Sequence, residues 1–248
     1  MNDQNVEYLK ERLFYLGFQD HLNKNLEEQI NKGKDEFKIT TAKYFSGVDD
    51  KEKIMNYELS FSQSKKTDLF FLNQIQATLL NGENQKSQAF HINNGHGLSA
   101  KEMFNLLEGR SVYKLQYNQE NQPYKSWLKL NMAQKDGKGN FLLHRYHENW
   151  GFNLEKSLNR YPIKELQQEH LKQRMIRSLE KGNLQKVTIA TSSNDEKTLY
   201  LMAYPQGRMI HAFDEKMKSE KLSDYQLKEL KTENKKEVSS KKSKRVSL

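Results

Sequence analysis

The feature that most limits what this chain can become is a pattern that occurs twice. AKEMFNLLEGRSVYKLQY from Ala100 and LKQRMIRSLEKGNLQKVTI from Leu171 align with few shifts: Met103 with Met175, Phe104 with Ile176, Leu107 with Leu179, Glu108 with Glu180 and Lys114 with Lys186, each pair 72 positions apart. In both copies apolar residues recur at helical spacing. A glycine (Gly109, Gly182) then follows where a helix can stop in the left-handed conformation. Three runs of β character come next. They are SVYKLQY, YKSWLKLNM and NFLLHRYH in one copy, and LQKVTIAT, TLYLMAYP and RMIHAF in the other. The links between runs are short, which favours antiparallel pairing, because a parallel crossover needs a dozen or more residues.

The expected fold is therefore α+β, made of repeated units of a helix plus a three-stranded antiparallel meander. Unit boundaries are expected at 99–160 and 161–218. Ser99-Ala100-Lys101-Glu102 reads as a capping box that starts the first helix, and Pro162 suits the entrance to the second. Residues 1–80 form an N-terminal α+β region with strand-like stretches at Phe37–Tyr44, Met55–Ser62 and Leu69–Leu79. This region is either a diverged first copy or a separate element. Between it and Ser99, residues 81–98 are polar and read as a linker.

Charge sets the next constraint. From Lys216 onward there are eleven Lys/Arg against five Asp/Glu, an excess of six out of a net +9, so residues 1–215 are nearly balanced. Residues 219–248 end in KKEVSSKKSKRVSL and have few apolar groups with which to offset ordering entropy, so a disordered basic tail is expected. Its Lys241, Lys242, Lys244 and Arg245 are candidates for contact with a polyanion. A solvated tail that aids solubility is the alternative. The chain has no cysteine, which excludes disulfides, thiolate chemistry and Cys-ligated metals and fits a reducing cytoplasm. The first residues carry acids and no apolar core, and no run approaches the roughly 18 residues of a spanning helix. A soluble cytoplasmic protein without membrane contact is expected.

The stretches GHGLSAKEMFNLLEGRSV, YKSWLKLN, GNFLLHRYHENWGFNLEKSL, YPIKEL and MIRSLEKGNLQKVTI, between about Asn93 and Lys218, resemble a domain family of unknown function. That family occurs in conjugative transposons and related mobile elements of Bacteroidota, alone or attached to DNA-processing modules such as type IA topoisomerase-like domains. The opening LFYLGFQDHLNKNLEEQI is similar to the start of such proteins. The resemblance implies an accessory role in DNA transfer or processing. It brings no catalytic residues with it.

Read as a strand, YKSWLKLNM places Lys125, Trp127, Lys129 and Asn131 on one face and the more apolar set on the other. A tryptophan between two lysines on an outer face is the arrangement of a single-strand binder, with a ring for a base and charges for phosphates. The alternative is that Trp127 covers a neighbouring helix. Arg145 and His147 share a face of the following strand and join the candidate set. His144 and His147 lie three apart on a strand and so face opposite sides, which argues against a metal pair. Trp150 and Phe152 read as core residues, and Asn153 as a helix N-cap. No paired carboxylates, nucleophile elbow or phosphate loop is present. The expectation is a non-enzyme without cofactor or metal that binds nucleic acid, DNA before RNA. The competing expectation is a module that docks on a DNA-processing or transfer protein.

Overall fold

The computed structural model describes residues 2–46, 52–82, 84–93, 95–191 and 195–225. The chain divides into two compact units, the boundary falling between His147 and Glu148.

In the first unit, helices α1 (Asp3–Leu13) and α2 (Asn23–Asn31) precede a four-stranded antiparallel sheet. Its strands β1 (Glu36–Ser46), β2 (Glu52–Gln63), β3 (Phe70–Asn81) and β4 (Asn84–His91) run in chain order. Alternation sends Met55, Tyr57, Leu59 and Phe61 of β2 to the core. On β3 the buried phase switches from Phe70 and Leu72 to Ile75, Ala77 and Leu79. A register shift opposite Ser60/Phe61 skips Asn73 in the β2 pairing and moves the alternation by one residue.

Helix α3 (Ala100–Leu107) follows, opened by the expected capping box: the Ser99 hydroxyl accepts from the Glu102 N–H, and the Glu102 carboxylate accepts from the Ser99 N–H. Gly109 then stops the helix at φ 82°. Strands β5 (Val112–Tyr117), β6 (Pro123–Lys135) and β7 (Phe141–His147) form the expected meander. Met103, Phe104, Val112, Leu128 and Leu130 share one continuous core with the first sheet and with α1 and α2. Each large apolar side chain so buried contributes about 1.5–3 kcal/mol. The Tyr57 hydroxyl joins the layers by donating to the Ala100 carbonyl at 2.8 Å, and burial raises its pKa.

Residues 81–98 are thus not simply a linker: β4 occupies eight of these residues and completes the first sheet. It escapes an apolar-run search because its buried positions include Gln88, which is 6% exposed, beside Phe90. The Gln88 side chain accepts the Phe141 N–H at 2.8 Å, and the Asn140 side chain accepts the Ala89 N–H at 2.8 Å. These two amides close an otherwise open strand edge and fasten the β6–β7 hairpin to β4. The division expected between residues 80 and 99 is replaced by one core that runs from Val6 to Phe141 within a single compact unit.

The second unit holds α4 (Leu154–Leu158), a short 3-10 turn at Lys164–Gln167, α5 (Glu169–Glu180), and the antiparallel strands β8 (Gln185–Ala190), β9 (Glu196–Tyr204), β10 (Met209–Phe213) and β11 (Ser219–Glu220). Asn153 caps α4 as expected, its side chain accepting from the Lys156 N–H at 2.8 Å. Pro162 precedes the 3-10 turn, and its carbonyl accepts from Ala190. The Glu165 carboxylate takes the Thr188 N–H, so the outer edge of β8 is closed by side chain and loop. Met175 and Leu179 of α5 are buried, as are Val187, Leu199, Leu201 and Ile210 of the sheet. Helix, glycine stop (Gly182, φ 80°) and antiparallel strands recur here in the same order as in α3–β7.

Two further expectations are corrected. Residues 219–225 are folded: β11 pairs with β10, Leu222 is buried, and Glu220 pairs with Lys197 at 2.8 Å. Local composition hides this, because pairing to β10 supplies the order that the segment's few apolar groups do not. Trp150 is 40% exposed rather than core, its indole N–H donating to the Pro205 carbonyl at 2.9 Å, while Phe152 is buried.

Candidate nucleic-acid interface

Strand β6 is the middle strand of its sheet, and Ser126, Trp127 and Leu128 are buried in succession. Three consecutive buried side chains on a central strand leave Trp127 no open platform. Trp127 is 4% exposed and lies in a cross-strand row of rings, opposite Tyr113 on β5 and Tyr146 on β7, with the Tyr113 ring 5.1 Å away. The base-stacking role expected of Trp127 does not fit this position. Lys129 is half-buried and donates to the Gly109 carbonyl at 2.7 Å, and burial lowers its pKa. It holds the end of α3. Lys125 remains exposed, with its ammonium 6.0 Å from the Tyr113 ring centre.

Arg145 and His147 are exposed on the opposite face of this sheet from Trp127. The His147 ring lies 5.2 Å from that of Tyr124, and the Arg145 Nε donates to Gln116 at 3.2 Å. The structure therefore separates the expected set, with Trp127 and Lys129 built into the unit and Arg145 and His147 on the other side of the sheet. Lys241, Lys242, Lys244 and Arg245 lie outside the described residues.

The strongest basic surface lies on α5. Its apolar residues Met175 and Leu179 seat the helix on β8 and β9. On the other side His170, Arg174, Arg177 and Lys181 follow at intervals of four, three and four residues, and all four are exposed. At 100° per residue they fall within about 60° of one another and extend about 16 Å along the helix. With Gln173, Ser178 and Asn183 they line a shallow groove, and among the described residues no Asp or Glu lines it. Among the described residues neither Arg174 nor Arg177 has an ion-pair partner. Lys172, on the opposite side of the helix beside Leu179, is paired with Glu155 and Glu169, which raises its pKa.

Basic groups in the last turn of a helix complement its dipole. That effect fades within a turn and does not account for a stripe that begins at His170 in the first turn. The chemistry of the stripe is that of a phosphate ladder: two guanidinium forks able to grip phosphate oxygens in pairs, an ammonium and an imidazole. Its length equals the rise of about five phosphates of one strand along the duplex axis, at 3.4 Å each. A search that follows only the apolar residues of 171–189 passes over these four positions. Their helical spacing is the signal that finds them.

Among the described residues no three His, Asp or Glu side chains gather as a metal site, and no helix is long and apolar enough to cross a membrane. Comparison with protein-family models, with curated proteins and with solved structures finds no match to this chain.

Proposed function

We propose that this protein is a non-catalytic accessory factor that binds nucleic acid, DNA before RNA, through its phosphate backbone, with α5 as the contact surface. The observation that carries the reading is the exposed basic stripe of His170, Arg174, Arg177 and Lys181, in which neither arginine has an ion-pair partner among the described residues. Cations that displace condensed counterions bind without reading sequence, which suits an accessory role. The basic segment 226–248, with eight Lys/Arg against three Asp/Glu, adds charge of the same sign. The resemblance to mobile-element domains supports a cytoplasmic setting in DNA transfer. We also read the shared order of α3–β7 and α5–β10 as an internal duplication.

The test is fluorescence anisotropy with labelled single-stranded and duplex oligonucleotides at a series of salt concentrations. R174E/R177E is expected to weaken binding and to flatten the log–log salt slope by about 1.4 on single strands or about 1.8 on duplex, two phosphates' worth. Removal of 226–248 should weaken binding further and independently. Absence of binding by the full chain at about 50 mM salt would end the reading.

A second reading, docking on a DNA-processing protein, is favoured by the exposed rings of Phe14 (51%) and Tyr15 (68%) just after α1. Rings at such exposure are common anchors of protein interfaces.

A further inference from the structure

The first unit contains a cleft of about 400 Å³, within the range of small-ligand pockets. One wall is the end of β4 with the loop that follows it, and the other is the face of the second sheet that carries Arg145. Phe90, Leu98, Leu128 and Phe141 line it, all buried, so its lining includes a substantial apolar part. Rings stand around it as well: His96 and Tyr117 lie 4.8 Å apart, and Tyr124 is close by.

Its cations are not equivalent. Lys114 is committed to the buried Glu102 carboxylate at 2.8 Å. Arg145 is held differently. Its Nε–H donates to Gln116, and the Gln116 amide donates in turn to the hydroxyl of fully buried Ser126 at 2.5 Å. A guanidinium tethered through Nε keeps its terminal N–H groups as a fork for a planar or tetrahedral anion. Among the described residues no carboxylate pairs with Arg145. Asp136 also lines the cleft, but its carboxylate accepts the Lys138 and Asn140 N–H groups of its own turn, which lowers its pKa. An apolar slot with rings beside it and one unneutralised fork suits a flat ring that carries a phosphate.

We propose that this cleft binds a nucleotide-class ligand, a planar base bearing a single phosphate, with the ring against the apolar lining and the phosphate on Arg145. The site is built entirely from the first unit, whereas α5 belongs to the second, so this inference and the backbone-binding reading can fail separately.

The experiment is an amide NMR titration of the full chain with thymidine 5′-monophosphate, thymidine and inorganic phosphate. The monophosphate is expected to shift the amides of His96, Gln116, Tyr117 and Arg145 saturably, and the other two probes to bind about 10-fold more weakly or worse. R145Q, an exposed substitution, should weaken the monophosphate about 10-fold or more by removing a charge-assisted contact, while R174E/R177E leaves it unchanged. Tyr117→Ser should weaken thymidine and the monophosphate alike and leave phosphate alone. The proposal is overturned by no saturable shift at about 10 mM probe, a ligand far weaker than useful affinity. It is overturned equally by R145Q binding like the parent, or by phosphate or thymidine alone matching the monophosphate.

Discussion

Gln88→Ala tests the fastening of the two sheets in the first unit. Gln88 is 6% exposed and Phe141 7% exposed, and the Gln88 side chain is the acceptor for the Phe141 N–H. Truncation leaves that buried N–H without a partner, at a cost of about 1–3 kcal/mol. Gln88→Leu keeps the volume but not the acceptor and should cost a similar amount. Asn140→Ala, at a half-buried position, should cost about 1 kcal/mol. The two bonds are neighbours on one strand edge, so the double variant should depart from additivity by 0.5 kcal/mol or more, as contacting residues usually do.

The chain offers a clean reporter, because its two tryptophans fall in different units, Trp127 buried in the first and Trp150 exposed in the second. In a Trp150→Phe background, urea unfolding followed by tryptophan emission reports the first unit alone. The midpoint should fall at unchanged m-value. The corresponding fall in Tm is about 2–12 °C for a unit of this size. A Gln88→Ala midpoint within 0.5 kcal/mol of the parent would show that water or another group satisfies the Phe141 N–H, and the fastening argument would be wrong.

Lys101 gives a pH prediction. Its ammonium lies 4.8 Å from the Phe45 ring centre and 4.6 Å from that of Phe104, and burial, with Arg110 nearby, lowers its pKa to about 8. The unfolded chain holds that proton up to about pH 10.4, so between about pH 8 and 10 it binds more protons than the folded one and stability rises with pH. The gain, discounted for the solvent that still screens the group, is about 1–2 kcal/mol. Lys101→Met should remove the rise in urea midpoint across that window, and an unchanged profile would refute the assignment. Gly109→Ala forces a Cβ into φ 82° where nothing crowds it, so only backbone strain is added. The expected cost is about 1–2 kcal/mol in thermal or urea unfolding, and a neutral substitution would mean that α3 ends differently.

The α5 stripe was within reach of the sequence, since positions 170, 174, 177 and 181 share a face on any helix through them. The cleft was not. Gln116, Ser126 and Arg145 come from three strands, and only their cross-strand register brings them into one hydrogen-bonded chain.

Local chemistry determined what could be settled within a few residues of itself. The capping box at Ser99 and Glu102, the left-handed stops at Gly109 and Gly182, and the β-rich runs 112–117 and 185–190 act through neighbouring backbone groups, so helix, stop and strand could be read directly. Tertiary structure alone decided which faces are covered. Trp127 between two lysines has the pattern of an exposed ring, yet it is buried in a row with Tyr113 and Tyr146, which the pairing of β6 to both its neighbours sets on either side of it. A segment as polar as 84–91 becomes a strand because β3 offers an edge, and Gln88 and Asn140 bring their hydrogen-bonding groups to the hairpin beyond. Burial depends on what arrives from elsewhere in the chain, and no local pattern encodes that.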